Sequence, residues 1–403
     1  MTTAQPKLDI PLRLHPLTFL EEGDEVTVGR ADINSYALFP ADGAALVRRL
    51  EAGLSPSEAA RWYREEYGED VDIVEFLAVL EEFELLIPPG EEAAVAPEVR
   101  WQRLGRALFS PWAWCAYALI VIAALVAMVR DPGLAPTYQH LFFTRSSLVV
   151  LTLGILLGQL PWLLLHEAYH ALAGRRLGLN STLRIGVRFY FLVFETSLDG
   201  LVAVPRRKRY LPMLAGILLD VVALSALTLG AALPLGSSGG VAVFQLFLLT
   251  TAYGVALRLA WQLYFFLRTD LYYLATTVLG CNDLQTVSRQ MLFNRANRLL
   301  GRHERLVDES AWHPRDHAVA RWYSWLMAAG YGVLSVILVT ALIPATVRLA
   351  DLTIKHLGSH PSAWSVADAV VFLILQFGQL YLVAFIALRN YRRRRSARAA
   401  AAA

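Results

Sequence analysis

The sequence is poor in cysteine and in charged side chains. It holds two cysteines in 403 residues, Cys115 inside an apolar run and Cys281 in a linker, which excludes a disulfide framework and a cysteine-based metal site. Charged residues make up 18% of the chain, against ~25% in average soluble proteins. The first 30 residues lack a basic start followed by an apolar core, so we expect no cleavable signal peptide. This composition excludes an ordinary soluble protein.

Long apolar runs take the place of the missing charge, and hydrophobic residues make up 56% of the chain. Each run is about long enough to cross ~30 Å of hydrocarbon as a helix. The predicted membrane helices lie near residues 111–129, 147–172, 211–233, 241–267, 324–349 and 365–388. The sequence therefore predicts a mainly α membrane protein with about six transmembrane helices.

The distribution of basic residues orients these helices, although the net charge is only +3. Basic side chains crowd the segment between the second and third helices and the C-terminal segment, whereas the loops near 130–146, 234–240 and 350–364 hold few. Because basic loops stay cytoplasmic, we expect an integral protein of the bacterial plasma membrane with both termini in the cytoplasm. The C-terminal arginine run is interpreted as a topology anchor next to membrane lipid, and no nucleic-acid partner is expected.

Residues 1–98 predict a small cytoplasmic α+β domain, and a proline-containing linker at its end separates it from the membrane domain, residues 99–403. Ser55 is the expected N-cap of a helix, with Glu58 closing a capping box. Alternating runs and amphipathic patterns predict strands around Leu12–Phe19, Glu25–Val28 and Ser35–Leu38, then helices near 41–52, 56–67 and 71–86. The expected core is Leu46, Leu50, Ala59, Trp62, Tyr63, Phe76, Leu80 and Phe83.

The motif His166-Glu167-x-x-His170 lies at the end of the second apolar run. Residues i and i+4 share one face of a helix, so both imidazoles are placed to bind one Zn²⁺ while a third ligand comes from elsewhere. Glu167, next to the first ligand, is placed to act as general base. The alternative, two histidines satisfied within a helix bundle, is disfavoured because burying all three side chains in a membrane segment is costly.

The third ligand is sought among acidic side chains on apolar helices, since an ionisable residue there needs a partner or a task. Asp270 follows the fourth run at the depth assigned to the histidines, and Asp220 lies about two turns into the third. Arg258 is expected to pair with Asp220, which leaves the ligand role to Asp270. The alternatives are Asp220 as the ligand, and Arg258 as the binding group for a substrate carboxylate. Gly216 is expected to permit close helix packing.

A second pair of histidines, His313 and His317, is also four residues apart. No glutamate follows the first of them, so the start of a helix next to the membrane is favoured over a second metal site.

Residues 180–210 break the helical pattern. Apolar and polar residues alternate from Leu183 to Phe191, which predicts a short β-ribbon. Bare strand edges are not tolerated in lipid, so the ribbon should pack on protein or line a water-filled cleft. It would then offer an edge to an extended substrate; the alternative is a plain connector at the membrane surface.

The layout of residues 10–88, especially "ADGAALVRRLEAGLSPSEAARWYREEYGED" and the closing "LEEFELL", resembles the PqqD-like peptide-recognition domain. That resemblance implies a small winged-helix-like fold that binds the leader peptide of a ribosomally made peptide. The alternative for this region is a generic winged-helix dimerisation module.

The motif of His166, Glu167 and His170, with Asp199 before "AVPRRKRYLPMLAG" and the Asp270-Leu271-Tyr272-Tyr273 segment, resembles the site-2 protease family of intramembrane zinc metalloproteases. The similarity covers roughly residues 110–340 and is strongest to the branch linked to peptide maturation and export. It implies one catalytic zinc bound by His166, His170 and Asp270, with Glu167 as the base.

The sequence departs from that family around the aspartate. The family has Asn-Pro before it and Gly after it, whereas Tyr264, Phe265 and Leu271 stand at those places here. The resulting hypothesis is a membrane zinc endopeptidase that cleaves a peptide or protein precursor. Its alternatives are a non-proteolytic, peptide-binding membrane partner for export or immunity, and a hydrolase that uses the same ligands on another substrate.

Overall fold

The computed structural model describes most of the chain and divides into two compact units. The first unit is Met1–Leu108, Ala171–Thr182 and Thr196–Pro212, and the second is Phe109–His170, Leu183–Glu195 and Met213–Ala403. The described residues are 8–401 except 24, 89, 94–97, 142–146, 189–190, 199, 235–238, 345–346, 348–350, 352 and 354–361. Asp199 and parts of the predicted linker and loops lie outside them. The predicted domains 1–98 and 99–403 stay a prediction.

The N-terminal part of the first unit is a three-stranded antiparallel sheet followed by helices, which confirms an α+β module. The strands pair in the order β1-β2-β3, with Val28 opposite Phe19 on one side and Ala37 on the other. The elements are β1 (Thr18–Glu22), β2 (Glu25–Arg30), β3 (Ser35–Pro40), α1 (Ala41–Glu51), α2 (Pro56–Tyr67) and α3 (Ile73–Glu82). Whether this arrangement functions as a PqqD-like or winged-helix domain stays a prediction.

The first strand lies later than predicted. The sequence pattern placed it at Leu12–Phe19, but β1 begins at Thr18, and Leu14 forms only an isolated bridge with Leu86. Pro16 explains the difference, because a proline has no N–H to donate to a strand ladder.

The core of this module is the predicted one. Leu46, Leu50 and Leu80 are fully buried, and Trp62 and Phe83 pack against the core from its edge. The capping box at α2 is confirmed as well: the Ser55 side chain accepts from the Glu58 N–H, and the Glu58 carboxylate accepts from the Ser55 N–H at 2.9 Å. Local signals and apolar burial together account for this part of the fold.

The later segments of the first unit contact this module through polar groups. The Gly200 N–H donates to Asn34 Oδ1 at 2.7 Å, and Arg206 and Arg209 each pair with Glu22 at 3.0 Å. Glu22 is the last residue of β1. These contacts explain why the segment around residue 200 belongs to the first unit.

Among the described residues, five helices are long and apolar enough to span a membrane, and the mainly helical fold is confirmed. They are α5 (Pro111–Arg130), α6 (Leu148–Arg176), α7 (Arg206–Ala231), α8 (Gly239–Trp261) and α11 (Pro314–Ile337). The sixth prediction, near 365–388, falls in α12 (Ala363–Ala401), where the apolar helical stretch within the described residues is Ala363–Leu375 and is shorter than a span. The shorter helices are α4 (Gln102–Leu108), α9 (Asp270–Leu279) and α10 (Leu284–Leu299).

The β-ribbon predicted after the histidine motif is confirmed as a hairpin. It is formed by β4 (Ser181–Arg188) and β5 (Phe191–Leu198). Leu183 and Ile185 expose more than half of their surface.

The N-terminus of α6 is capped by a side chain from far along the sequence. The Asp368 carboxylate, on α12, accepts from the Leu148 N–H at 2.9 Å, the Val149 N–H at 3.2 Å and the Ser147 hydroxyl. An anion that satisfies the first N–H groups also complements the positive end of the helix dipole. This contact fixes one end of the helix that carries the histidine motif.

Candidate metal centre

The two histidines of the motif lie one turn apart on α6 and are both buried, His166 at 4% and His170 at 7% exposure. Their Nε2 atoms are 3.2 Å apart, so both rings turn the same nitrogen toward one point. This is the arrangement that the i, i+4 spacing predicts.

Asp270 reaches the same point from the first turn of α9. Its Oδ2 lies 3.2 Å from His166 Nε2 and 3.3 Å from His170 Nε2. The fourth apolar helix ends at Trp261, earlier than predicted, and the chain turns through residues 262–269 before α9 begins at Asp270. Among the described residues, His166, His170 and Asp270 are the group of side chains that could hold one metal ion.

The spacing of the three atoms fits a zinc ion. Ligands that lie ~2.0–2.1 Å from a tetrahedral ion stand about 3.3 Å from one another, which is the separation of these nitrogen and oxygen atoms. Two imidazoles and a carboxylate are also a donor set that suits zinc.

The electrostatics of the group point to a cation as well. His166 Nδ1 lies 2.9 Å from the buried carboxylate of Asp220, which is a suitable acceptor for a proton on that nitrogen. A neutral ring with its proton on Nδ1 presents a lone pair at Nε2, toward the Asp270 carboxylate. Converging lone pairs repel one another unless a positive charge lies between them.

Gly216 on α7 keeps the space beside these nitrogens open. A Cβ atom at this position would lie 2.3 Å from His170 Nε2 and 2.4 Å from His166 Nε2, closer than such atoms approach. The sequence predicted only a helix-packing role for Gly216. The structure adds that no side chain fits there without displacing the two histidines.

Asp220 contacts the far nitrogen of His166 and is not among the three convergent residues. It is fully buried, and Arg258 holds it through both carboxylate oxygens, with Nη2 to Oδ1 at 2.6 Å and Nε to Oδ2 at 3.0 Å. The predicted ion pair between Asp220 and Arg258 is therefore confirmed. Asp220 is placed as the partner of one histidine, and Asp270 as the third member of the group.

Gln262 is a site residue that sequence reasoning missed. Its Nε2 donates to Asp270 Oδ2 at 2.9 Å, and its Oε1 accepts from the Asp270 N–H at 3.0 Å. Thr269 Oγ1 donates to the Gln262 carbonyl at 2.8 Å, which closes the turn between α8 and α9. The available signal was a polar residue at the end of an apolar helix, eight positions before an aspartate.

The turn that carries Asp270 is also fixed from its other side. Tyr323 Oη lies 3.1 Å from the Phe265 carbonyl and 2.9 Å from Gln285 Oε1, while Gln285 Nε2 donates to the Phe266 carbonyl at 3.1 Å. Tyr264 and Phe265, which stand where the family pattern has Asn-Pro, lie in this turn. Side-chain hydrogen bonds therefore hold the turn in place.

Glu167 follows His166 on α6 and is 7% exposed. A carboxylate buried in a membrane-length helix is costly unless it has a partner or a task. Its position in the sequence next to the first histidine is the one the motif requires of a general base.

The remaining candidates lie apart from the group. His313 is the N-cap of α11, where its Nδ1 accepts from the Arg315 N–H at 3.3 Å, in agreement with the predicted helix start.

Burial raises the pKa of Cys281 to about 11, so its thiol stays protonated and is a poor metal ligand at neutral pH.

No family model, curated protein or solved structure matches the chain. The family resemblances therefore rest on the sequence segments quoted for them alone.

Proposed function

We propose that the protein is an intramembrane zinc metalloendopeptidase of the site-2 protease type. One observation carries the proposal: three potential ligand atoms of His166, His170 and Asp270 lie 3.2–3.3 Å apart. Both histidines are buried on α6, a helix of membrane length, and Asp270 begins the short helix α9. Glu167 supplies the acid–base group that a structural zinc site does not need. His166, His170 and Asp270 would hold the ion.

The chain's own residues divide the work of hydrolysis. Zinc, when bound, acts as a Lewis acid that polarises a carbonyl group and makes water more acidic. Glu167 takes the proton from the attacking water and returns it to the nitrogen of the leaving amine. The hydrogen bonds of Gln262 hold Asp270 in place.

The proposed substrate is a membrane-associated peptide or protein precursor, and its leader would bind to the N-terminal module. In support, the module carries a small sheet whose outer strands are β1 and β3, and an extended peptide can add to such an edge. Binding the leader there would raise the local concentration of the scissile segment near the metal.

The proposed location is the bacterial plasma membrane, with both termini in the cytoplasm. The basic residues at the end of α6 and the start of α7 support this orientation, because basic segments next to membrane helices stay cytoplasmic. The histidine motif then lies toward the cytoplasmic leaflet.

The first test is the metal content of purified protein in detergent. We expect about one zinc ion per chain, lost on substitution of His166, His170 or Asp270 by alanine. His317→Ala is the matched control, because it removes a histidine from another i, i+4 pair. Wild-type protein that holds no zinc even when supplied with it overturns the proposal.

The second test separates binding from catalysis. Glu167→Gln is expected to keep its zinc and to lose cleavage of a peptide precursor by about 10²-fold or more. A variant that keeps zinc and still supports the biological output favours the non-proteolytic membrane partner. Comparison of peptide and lipid-amide substrates distinguishes an endopeptidase from another metal-dependent hydrolase.

A further inference from the structure

A series of polar contacts connects the metal group, formed by His166, His170 and Asp270, to residues of two neighbouring helices. His166 Nδ1 lies 2.9 Å from Asp220 Oδ2, and Asp220 in turn receives Arg258 Nε at 3.0 Å on the same oxygen and Arg258 Nη2 at 2.6 Å on the other. The three residues belong to α6, α7 and α8. The contact therefore ties three membrane helices to one nitrogen of one candidate ligand.

The three side chains that make these contacts are largely buried. The Asp220 side chain is 0% exposed, His166 5% and Arg258 15%. A buried ion pair is often no more stable than apolar residues of similar volume, so packing alone does not explain the pair. Its distinguishing feature is that the carboxylate also faces a histidine of the metal group.

We propose that Asp220 and Arg258 are positioning residues of the metal centre, an inference that rests on the proposed zinc site. Asp220 accepts the Nδ1 proton of His166, which fixes the ring orientation and leaves the Nε2 lone pair directed at the metal. Arg258 donates hydrogen bonds to both Asp220 oxygens, which prevents the carboxylate from rotating away from the His166 ring. Substitution of a residue that hydrogen-bonds to a metal ligand in this way typically lowers metal affinity by about 10- to 100-fold.

The geometry predicts that substitutions of Asp220 and of Arg258 lower zinc affinity by different amounts. Asp220 contacts the ligand directly, whereas Arg258 acts through Asp220. We therefore expect Asp220→Ala to weaken zinc binding by about 100-fold and Asp220→Asn by about 10-fold, since an amide oxygen still accepts the proton. Arg258→Lys keeps the charge but loses the bidentate hydrogen bonding to both Asp220 oxygens, so zinc affinity should fall by about 10-fold.

The experiment is a zinc competition titration of full-length protein in detergent against a chelator of known affinity. Thr228→Val is the matched control, because Thr228 is another buried polar residue of α7 whose hydroxyl bonds only to the Leu224 carbonyl among the contacts described. Co²⁺ in place of zinc gives a second readout, since its absorption spectrum reports the ligand geometry. A shifted spectrum in the Asp220 variants, with Thr228→Val unchanged, is the expected result.

A double variant separates positioning from a purely structural role. Asp220→Val with Arg258→Met removes both charges and leaves no unpaired charge in the bundle. We expect its thermal stability to return toward wild type while its zinc affinity stays low by about 10-fold or more. Wild-type zinc affinity in this double variant overturns the inference.

The outcome is distinguishable from failure of the proposed function. If wild-type protein binds no zinc, the metal site itself is wrong and the inference falls with it. If wild-type protein binds zinc and Glu167→Gln abolishes cleavage, but the double variant binds zinc like wild type, then only the role assigned to Asp220 and Arg258 is wrong.

Discussion

The N-terminal module and the candidate metal centre are held together by different forces. In the module, the fully buried side chains are apolar, as Leu46, Leu50 and Leu80 illustrate. Around the metal group, polar side chains are buried as well, and Asp220 and Gln262 are 0% and 5% exposed. Lipid is as apolar as leucine, so hydrophobic burial drives association of the module's elements but not of membrane helices.

This difference has a consequence for function. An apolar core tolerates replacement by other apolar groups of similar volume, whereas each hydrogen bond at the metal group has a fixed direction and a specific partner. The module should therefore respond to lost volume, and the metal centre to lost polar contacts.

The largest effect is expected in the core of the module. Leu80→Ala should lower the free energy of unfolding of the module by about 2–5 kcal/mol, because it leaves a cavity at a fully buried position. Hydrogen exchange measured by mass spectrometry on peptides from β1 to β3 will report the loss. Val74→Ala, at a position of the same helix that is 51% exposed, is the control and should change little.

The same Leu80→Ala variant should keep wild-type zinc affinity if the two regions respond as described. A loss of zinc in parallel with faster exchange in the sheet would show that the contrast is wrong.

An intermediate effect is expected at the turn before α9. Gln262→Leu removes both hydrogen bonds to Asp270 and puts an apolar side chain of similar size in place of the glutamine, so zinc affinity should fall by about 10-fold. Chelator competition measures this change. Leu263→Ala, at the exposed neighbouring position, is the control.

Gln262→Leu should leave hydrogen exchange in the module unchanged, whereas Leu80→Ala should change exchange and leave zinc affinity unchanged. Unchanged zinc affinity in this variant would remove Gln262 from the metal centre.

The smallest effect is expected from a polar contact in the module. Ser55→Ala removes the side-chain acceptor for the Glu58 N–H at the start of α2, which typically lowers stability by about 1 kcal/mol. Ser55→Thr keeps the hydroxyl and should behave almost as wild type. Hydrogen exchange of α2 peptides distinguishes the two, and an effect of Ser55→Ala as large as that of Leu80→Ala would argue against the proposed division of forces.

Local patterns in the sequence predicted much of the architecture and the motif. The capping box of α2, the core of the module and the five helices of membrane length follow from spacing and composition within short windows. The first strand was placed too early because the apolar pattern outweighed Pro16. The sixth helix was read from hydropathy, and its apolar stretch within the described residues is shorter than a span.

The candidate site was predictable where a local rule or an argument about cost applied. His166 and His170 come together because four residues make about one helical turn. Asp270 and the Asp220–Arg258 pair were expected because unpaired charge is costly at membrane depth. The roles of these residues in zinc binding and catalysis stay predictions until metal content and cleavage are measured.

The sequence by itself determined the positions of five membrane-length helices, the spacing that brings His166 and His170 to one face of a helix, and the apolar residues that form the core of the module. Only the tertiary structure decided that Gly216 lies next to the Nε2 atoms of both histidines and that Asp220 faces His166 Nδ1. The hydrogen bond from Gln262 to Asp270 was likewise visible only in the tertiary structure. The physical reason is that these contacts depend on how the helices cross and on how the chain turns after Trp261. Neither of these is encoded in the spacing of residues along a single helix.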